Sequence, residues 1–267
     1  MVHGAPHEHP GAKAAVVIDV IDYTKLYGDT VAVQSLSFRV APGDVLGLVG
    51  PNGAGKTTTL RALAGILQPT SGQIRIADID LQANPVAAKA QLAFIPDEPQ
   101  LFDYLTVTEH LHFVARLYGV RDAAPRIPVL LEELELTAKR DALPTELSRG
   151  MKQKLAIACG LLHQPAALLL DEPLTGLDPV GIRRMKETIT ARAREGAAVI
   201  LSSHLLHLVE ELCTRILVIR RGQAVALGTL QEIVASRPDL AGRSLEEMFI
   251  ALTGDDTSHD TSLNPVS

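Results

Sequence analysis

The residues with the clearest chemistry form the run GPNGAGKT, from Gly50 to Thr57. It follows the apolar segment Val45–Val49 and precedes a predicted helix over Thr58–Gly65, the strand–loop–helix context that the pattern G-x-x-x-x-G-K-[ST] requires. Such a loop turns tightly and directs successive N–H groups, together with the positive end of the helix, toward a polyphosphate. The lysine is expected to reach the β- and γ-phosphates, and Thr57 to offer its hydroxyl to Mg²⁺. The predicted phosphate-binding residues are Gly50, Pro51, Asn52, Gly53, Ala54, Gly55, Lys56, Thr57 and Thr58.

Two adjacent acids, Asp171 and Glu172, follow another apolar segment, Ala167–Leu170. In α/β sheets, ligands bind at the carboxyl ends of the strands, so both side chains are expected at the same edge as the loop. We expect Asp171 to hold Mg²⁺ through water and Glu172 to polarise the water that attacks the terminal phosphate. The alternative interpretation is a pair of solvated acids at a strand end, and the glycine-rich loop upstream argues against it.

The elements that must position these residues alternate between strand and helix. Asn84-Pro85 and Asp178-Pro179 are each typical of a helix start, and Thr106 with Glu109 and Ser244 with Glu247 match the capping box. The alternation predicts an α/β fold with a mainly parallel sheet, interrupted from 99 to 162 by a helical insertion of about sixty residues. The predicted strands are Val16–Val20, Leu36–Val40, Val45–Val49, Gln73–Ile76, Leu92–Ile95, Ala167–Leu170, Ala198–Leu201, Ile216–Ile219 and Gln223–Ala226.

Composition excludes several classes of protein. Among 267 residues, Lys plus Arg number 25 and Asp plus Glu 31, and the resulting charge of −6 argues against a chain built to wrap nucleic acid. No segment approaches the about 18 consecutive apolar residues of a membrane helix, and the start lacks a signal-like apolar stretch, so a cytosolic protein is expected. Cys159 and Cys213 lie in apolar stretches and are predicted to be reduced core thiols.

A third motif identifies a family. LSRGMKQKLAIA, from Leu147 to Ala158, resembles the signature LSGGQ of the nucleotide-binding subunits of ABC transporters. DEPLTGLDP (Asp171–Pro179) and LSSH (Leu201–His204) follow it in the order that this family shows. The resemblance implies a P-loop NTPase core of ABC type over residues 15–253, with an antiparallel β-subdomain added to the parallel sheet. Residues 1–14, with His3, His7 and His9, and residues 254–267 are predicted to be disordered tails.

The resemblance also implies site residues outside the loop. Ser148, a good N-cap for its helix, and Gly150 are expected to close over the ATP of a second nucleotide-binding subunit, with Asp178 at the contact between the two. His204 is expected to sense the γ-phosphate. Tyr27 is expected to stack on adenine, with Val33 nearby, although Tyr23 is a competitor by sequence alone.

Three positions depart from the family pattern. Asp97, in FIPDEPQLF, stands where the family usually has a Gln that approaches the metal, and Arg149 and Met151 replace a Gly and the Gln of LSGGQ. Asp97 remains a candidate Mg²⁺ ligand. Arg149 is expected either to add positive charge near the partner's phosphates or to point to solvent.

The implied activity is ATP hydrolysis that powers transport, with ATP and Mg²⁺ as cofactors. The implied partners are an integral-membrane permease and a second nucleotide-binding subunit, identical or closely related, at the inner face of the cell membrane. The PDEP and SRGMKQK variants resemble subunits of exporters with a separate six-helix permease. Phe102, Tyr104 and Leu105 are predicted to form its docking site, although core packing is an alternative for at least one of them. A soluble ABC-type ATPase without a transport role is the alternative function.

Overall fold

A computed structural model describes residues 16–254 of the chain. Both predicted tails, including His3, His7 and His9, thus fall outside the described residues, apart from Gly254. The strands are β1 (Ile18–Tyr27), β2 (Thr30–Val40), β3 (Val45–Val49), β4 (Ser71–Ile76), β5 (Ile79–Asp80), β6 (Leu92–Ile95), β7 (Ala167–Asp171), β8 (Ala198–Ser202), β9 (Arg215–Arg220) and β10 (Gln223–Gly228). The helices are α1 (Lys56–Leu63), α2 (Pro85–Lys89), α3 (Val107–Leu117), α4 (Ala123–Glu133), α5 (Arg149–Leu161), α6 (Pro179–Arg194), α7 (Leu206–Leu212), α8 (Leu230–Ser236) and α9 (Leu245–Thr253).

The central sheet has the strand order β10-β9-β3-β8-β7-β6 and is parallel except for β10, which pairs antiparallel with β9. The three strands β3, β7 and β8 are buried along their whole length, because helices or a second sheet cover both faces. Along β7, Leu168 and Leu170 pack toward the helical insertion while Ala167 and Leu169 pack toward the other sheet. The carboxyl ends of these strands therefore meet at one edge, where the predicted acids lie.

The second sheet is antiparallel, with the order β2-β1-β4-β5. Its first two strands extend well beyond the predicted segments, because cross-strand pairing brings polar residues up to Tyr27 and Thr30 into the hairpin. The two-residue strand β5 was not predicted. The α/β fold class with an added antiparallel sheet is confirmed.

Between β6 and β7 the described chain contains only helices and turns, with α3, α4 and α5 packed around one apolar cluster. Thr106 caps α3 and Ser244 caps α9 through complete capping boxes, as predicted. Asp178 accepts from the backbone N–H of Gly181 at 2.9 Å. Asn84 is the exception: it precedes Pro85 at the first helical position, but its side chain makes no capping hydrogen bond.

Two further sequence predictions concern thiols and membrane helices. Cys159 and Cys213 are free thiols, and burial raises the pKa of each to about 12. Over residues 16–254, none of the helices has both the length and the apolar character that crossing a bilayer requires.

Candidate functional site

The glycine-rich loop joins β3 to α1 at the carboxyl edge of the central sheet. Helix α1 begins at Lys56, two residues before its predicted start, because Gly55 makes the final turn in the left-handed region at φ 105°. A side chain at Gly55 would be strained by that φ, and its Cβ would lie 2.8 Å from the carbonyl oxygen of Ala32. Lys56 and Thr57 therefore occupy the first helical turn, whose N–H groups have no partner within the helix.

The Lys56 side chain folds back over the glycine-rich loop. Its ammonium donates to the carbonyl oxygens of Gly50 at 2.7 Å and Pro51 at 3.2 Å. Burial lowers the pKa of Lys56, and the nearby carboxylates of Glu172 and Asp171 offset part of that effect. The ammonium is thus close to both predicted acids and held by neutral carbonyls.

Asp171 ends β7 and is only 6% exposed. Its Oδ1 accepts a hydrogen bond from the hydroxyl of Ser202, the last residue of β8. The same hydroxyl accepts from the backbone N–H of Glu172 at 3.2 Å. Ser202 therefore holds both acids in place. Ser202 is not among the predicted site residues, although it lies within the LSSH motif that carries His204.

Glu172 and His204 are in direct contact. The Nδ1 atom of His204 lies 2.8 Å from the Glu172 carboxylate, and Glu172 has a φ of 50°, which is uncommon for a residue other than glycine. The backbone N–H of Glu172 donates to the carbonyl oxygen of Ser202 at 3.1 Å. The structure thus fixes the carboxylate beside the histidine at the strand edge.

A cavity of about 410 Å³ brings these groups together. The described residues that line it are Ala32, Asn52, Gly53, Ala54, Gly55, Lys56, Thr57, Thr58, Asp97, Asp171, Glu172, Thr175 and His204. Gly50 and Pro51 contribute to the same loop as acceptors for Lys56. Thr175 was not predicted, and only the fold brings it to the cavity.

The candidate adenine-binding residues of the β1–β2 hairpin differ in their burial. Val33 is fully buried, and its neighbour Ala32 lines the cavity instead, because successive residues of a strand face opposite sides. Tyr23 is also fully buried, which excludes it as a stacking surface. Tyr27 is 48% exposed, with the ammonium of Lys25 5.1 Å from its ring centroid, but it is not part of the cavity lining.

The signature residues also lie outside this cavity. The Ser148 hydroxyl caps α5 by accepting from the N–H of Met151 at 3.2 Å. Neither Ser148, Gly150 nor Asp178 contributes to the cavity lining. Asp97 does line the cavity, and it forms an ion pair with Arg149, so Arg149 does not simply point to solvent.

The donor chemistry of the cavity fits a magnesium ion that arrives with a nucleotide. Thr57, Asp97 and Asp171 offer oxygen atoms to the same space. No group of three or more His, Cys, Asp or Glu side chains is arranged to hold a metal ion within residues 16–254. Mg²⁺ does not need one, because it usually takes one or two carboxylates and completes its shell with phosphate oxygens and water.

Comparisons with known proteins agree on one family. The family described as ABC transporter matches residues 33–175. The chain is 33% identical over 246 residues to the ABC-type transporter ATP-binding protein EcsA of Bacillus subtilis, covering 91% of this chain and 99% of that one. It is 39% identical over 226 residues to the Nod factor export ATP-binding protein I of Paraburkholderia xenovorans, covering 84% and 74%. A solved structure of the ATP-binding subunit of an ABC transporter superposes with a TM-score of 0.85 at 35% identity, over 88% of this chain and 99% of that one.

Proposed function

The chain belongs to the ABC transporter family of ATP-binding proteins, and from that premise we propose that it is one of two ATP-hydrolysing subunits that drive a separate permease. Members of this family hydrolyse ATP to power transport, so the chain is an ATPase. The observation that carries the proposal is the convergence of Lys56, Asp171, Glu172 and His204 on one cavity at the carboxyl edge of the sheet.

ATP binding requires a change at Lys56. The ammonium leaves the carbonyl oxygens of Gly50 and Pro51 and turns to the β- and γ-phosphates, while the loop N–H groups and the start of α1 bind the remaining phosphate oxygens. Tyr27 stacks on the adenine ring, because it is the exposed tyrosine of the hairpin and Tyr23 is buried. Val33 is buried on the core side of the hairpin, below the proposed adenine-binding region.

Thr57, Asp171 and Asp97 would hold Mg²⁺ beside the phosphates, directly or through water. When bound, it neutralises the charge that develops on the phosphate oxygens. Glu172 accepts a proton from the attacking water, and His204 donates a hydrogen bond to the γ-phosphate. The contact between Glu172 and His204 keeps both groups at the position of the reacting phosphate.

A second subunit completes the site. Ser148 and Gly150 lie at the start of α5, outside the subunit's own cavity, where a helix N-terminus suits an anion. In the proposed head-to-tail pair they close over the partner's ATP, and Asp178 lies at the contact. The γ-phosphate then binds both subunits, so ATP favours the closed pair over the open one and hydrolysis releases it.

The permease docks on the helical insertion. Tyr104 is 93% exposed and Phe102 55%. Phe102 lines an apolar groove together with Pro99, Leu101 and Leu117, and Tyr104 lies outside its lining. Phe102 also packs edge-on against Phe113, with ring centroids 5.0 Å apart. Tyr104 therefore offers the free apolar surface, and a short helix of the permease fits the groove. We therefore propose that the chain acts at the inner face of the membrane, and the relative named for Nod factor export favours export.

The catalytic part of this proposal is tested with Glu172→Gln in the full chain. We expect the rate of ATP hydrolysis to fall by about 100-fold or more, the usual contribution of a general base, while ATP binding persists. We also expect the variant to form a dimer in Mg-ATP, and not in Mg-ADP, when followed by sedimentation velocity.

The matched control is Glu187→Gln, an exposed glutamate of α6 whose ion pair with Arg184 lies outside the cavity. It should hydrolyse ATP at the parent rate. A Glu172→Gln chain that still turns over ATP would contradict the assigned base, and one that stays monomeric in Mg-ATP would contradict the pairing of identical subunits.

A further inference from the structure

Two of the three positions that depart from the family pattern contact each other. Asp97 and Arg149 are 52 positions apart in the chain, and Nη2 of Arg149 lies 2.9 Å from Oδ1 of Asp97. Asp97 follows β6 and faces the cavity, whereas Arg149 is the first residue of α5. The pair therefore joins the wall of the cavity to the start of the signature helix within one subunit.

The Arg149 side chain is held along its length as well as at its tip. A Cβ at Gly176 would lie 3.2 Å from Cδ of Arg149, so the aliphatic part of Arg149 passes directly over this glycine. A Cβ at Gly150 would lie 3.0 Å from the carbonyl oxygen of Gly176, so the first turn of α5 also packs against the backbone at Gly176. The residues just before Gly176 include Glu172 and Thr175, which line the cavity.

Electrostatics give this contact a role beyond packing. Among the described residues of the cavity lining, Asp97, Asp171 and Glu172 are carboxylates and Lys56 is the ammonium. A triphosphate adds several negative charges to this space, and an uncompensated carboxylate at its wall repels them. Both side chains of the pair are about half exposed, and such pairs add at most about 1 kcal/mol to stability. The pair therefore matters chiefly for the charge that the nucleotide meets.

We propose that Arg149 is a positioning residue that neutralises Asp97 and holds it against the cavity wall, so that the γ-phosphate is accommodated in the same subunit. The inference rests on the proposed function, because it requires ATP in this cavity. Arg149 then acts in its own subunit, and replacing it leaves Asp97 as an unpaired carboxylate beside the phosphates.

The test compares single and double variants by their nucleotide affinity, measured by calorimetry on the full chain in Mg-ATP and in Mg-ADP. We expect Arg149→Gln to weaken Mg-ATP binding by about three- to tenfold, as coupled contacts do, and Mg-ADP binding less, because ADP lacks the γ-phosphate. Combining it with Asp97→Gln removes the carboxylate and should return the ATP affinity to within about twofold of the parent. Arg149→Lys keeps the positive charge and should bind nearly as the parent does.

A matched control is Arg39→Gln, which breaks an Arg–Asp pair of the same 2.9 Å length with Asp19 in the antiparallel sheet. It should leave ATP affinity unchanged. Parent-like ATP affinity in Arg149→Gln would overturn the proposal and favour a role of Arg149 at the partner's phosphates. A double variant as weak as Arg149→Gln would also overturn it. A parent chain that binds no Mg-ATP would instead overturn the proposed function itself.

Discussion

At the residue scale, the arrangement of the two acids depends on a serine. Ser202 is fully buried, and its hydroxyl donates to Asp171 while accepting from the N–H of Glu172. One hydroxyl therefore sets the position of the proposed metal-associated acid and of the proposed base. Asp171 is itself only 6% exposed, so water cannot readily replace the Ser202 hydroxyl if that donor is removed.

Ser202→Ala is expected to lower kcat for ATP hydrolysis by about tenfold, because a buried acceptor without its donor costs about 1–3 kcal/mol and each 1.36 kcal/mol is a factor of ten in rate. The KM for ATP should change less, since Lys56 and the loop are unaffected. Steady-state kinetics in Mg-ATP measure both constants.

The control for this prediction is Ser236→Ala, which removes a hydroxyl that donates to the Ile233 carbonyl within α8. It should leave both constants at the parent values. A Ser202→Ala chain with parent kcat would show that the backbone alone positions the two acids.

At the scale of elements, the start of α3 organises the segment that the permease is proposed to contact. Thr106 and Glu109 form a capping box, and the backbone N–H of Phe102 donates to Nε2 of His110 at 2.9 Å. The other ring nitrogen of His110 lies 2.8 Å from the Thr106 carbonyl oxygen. The loop from Phe102 to Leu105 is thus tied to the first turn of the helix by side chains of that helix.

Thr106→Ala is expected to lower the free energy of unfolding by about 1 kcal/mol, because the N–H of Glu109 loses its capping acceptor. Urea titration followed by circular dichroism measures the change. Thr106→Ser retains the hydroxyl and should remain within a few tenths of the parent. Equal stability of the alanine variant and the parent would show that the cap contributes nothing here.

At the scale of the whole molecule, the cavity and the proposed docking groove are joined by one short stretch of chain. Asp97 lines the cavity, and Pro99, Gln100 and Leu101 line the groove. A change at the nucleotide has only a few residues to cross before it reaches the proposed docking groove. Tyr104 lies three residues after Leu101 and is almost fully exposed.

Tyr104→Ala is expected to leave ATP hydrolysis by the isolated chain unchanged and to reduce its stimulation by the permease at least about fivefold, as removal of an interface anchor does. The assay compares ATPase rates of the purified complex and of the chain alone. Val86→Ala removes another exposed apolar side chain, on α2, away from the groove, and should behave as the parent. Full stimulation in Tyr104→Ala would remove Tyr104 from the docking surface.

The sequence by itself determined the elements whose signals are local. The glycine-rich loop, the Asp171–Glu172 pair and the capping boxes each depend on residues within a few positions, and parallel strands bring their carboxyl ends to one edge. The α/β class with its helical interruption followed from the alternation of these signals. The start of α1 was misplaced by two residues, because backbone dihedrals at Gly55 decide it.

Only the tertiary structure decided which side chains face the cavity. Tyr23 and Tyr27 are four residues apart and would share a face of a regular strand, but register shifts between them leave one buried and the other exposed. Strand alternation places Ala32 in the cavity lining and Val33 in the core. Ser202 and the ion pair of Asp97 with Arg149 depend on contacts between strands and helices far apart in the chain, which no local pattern encodes.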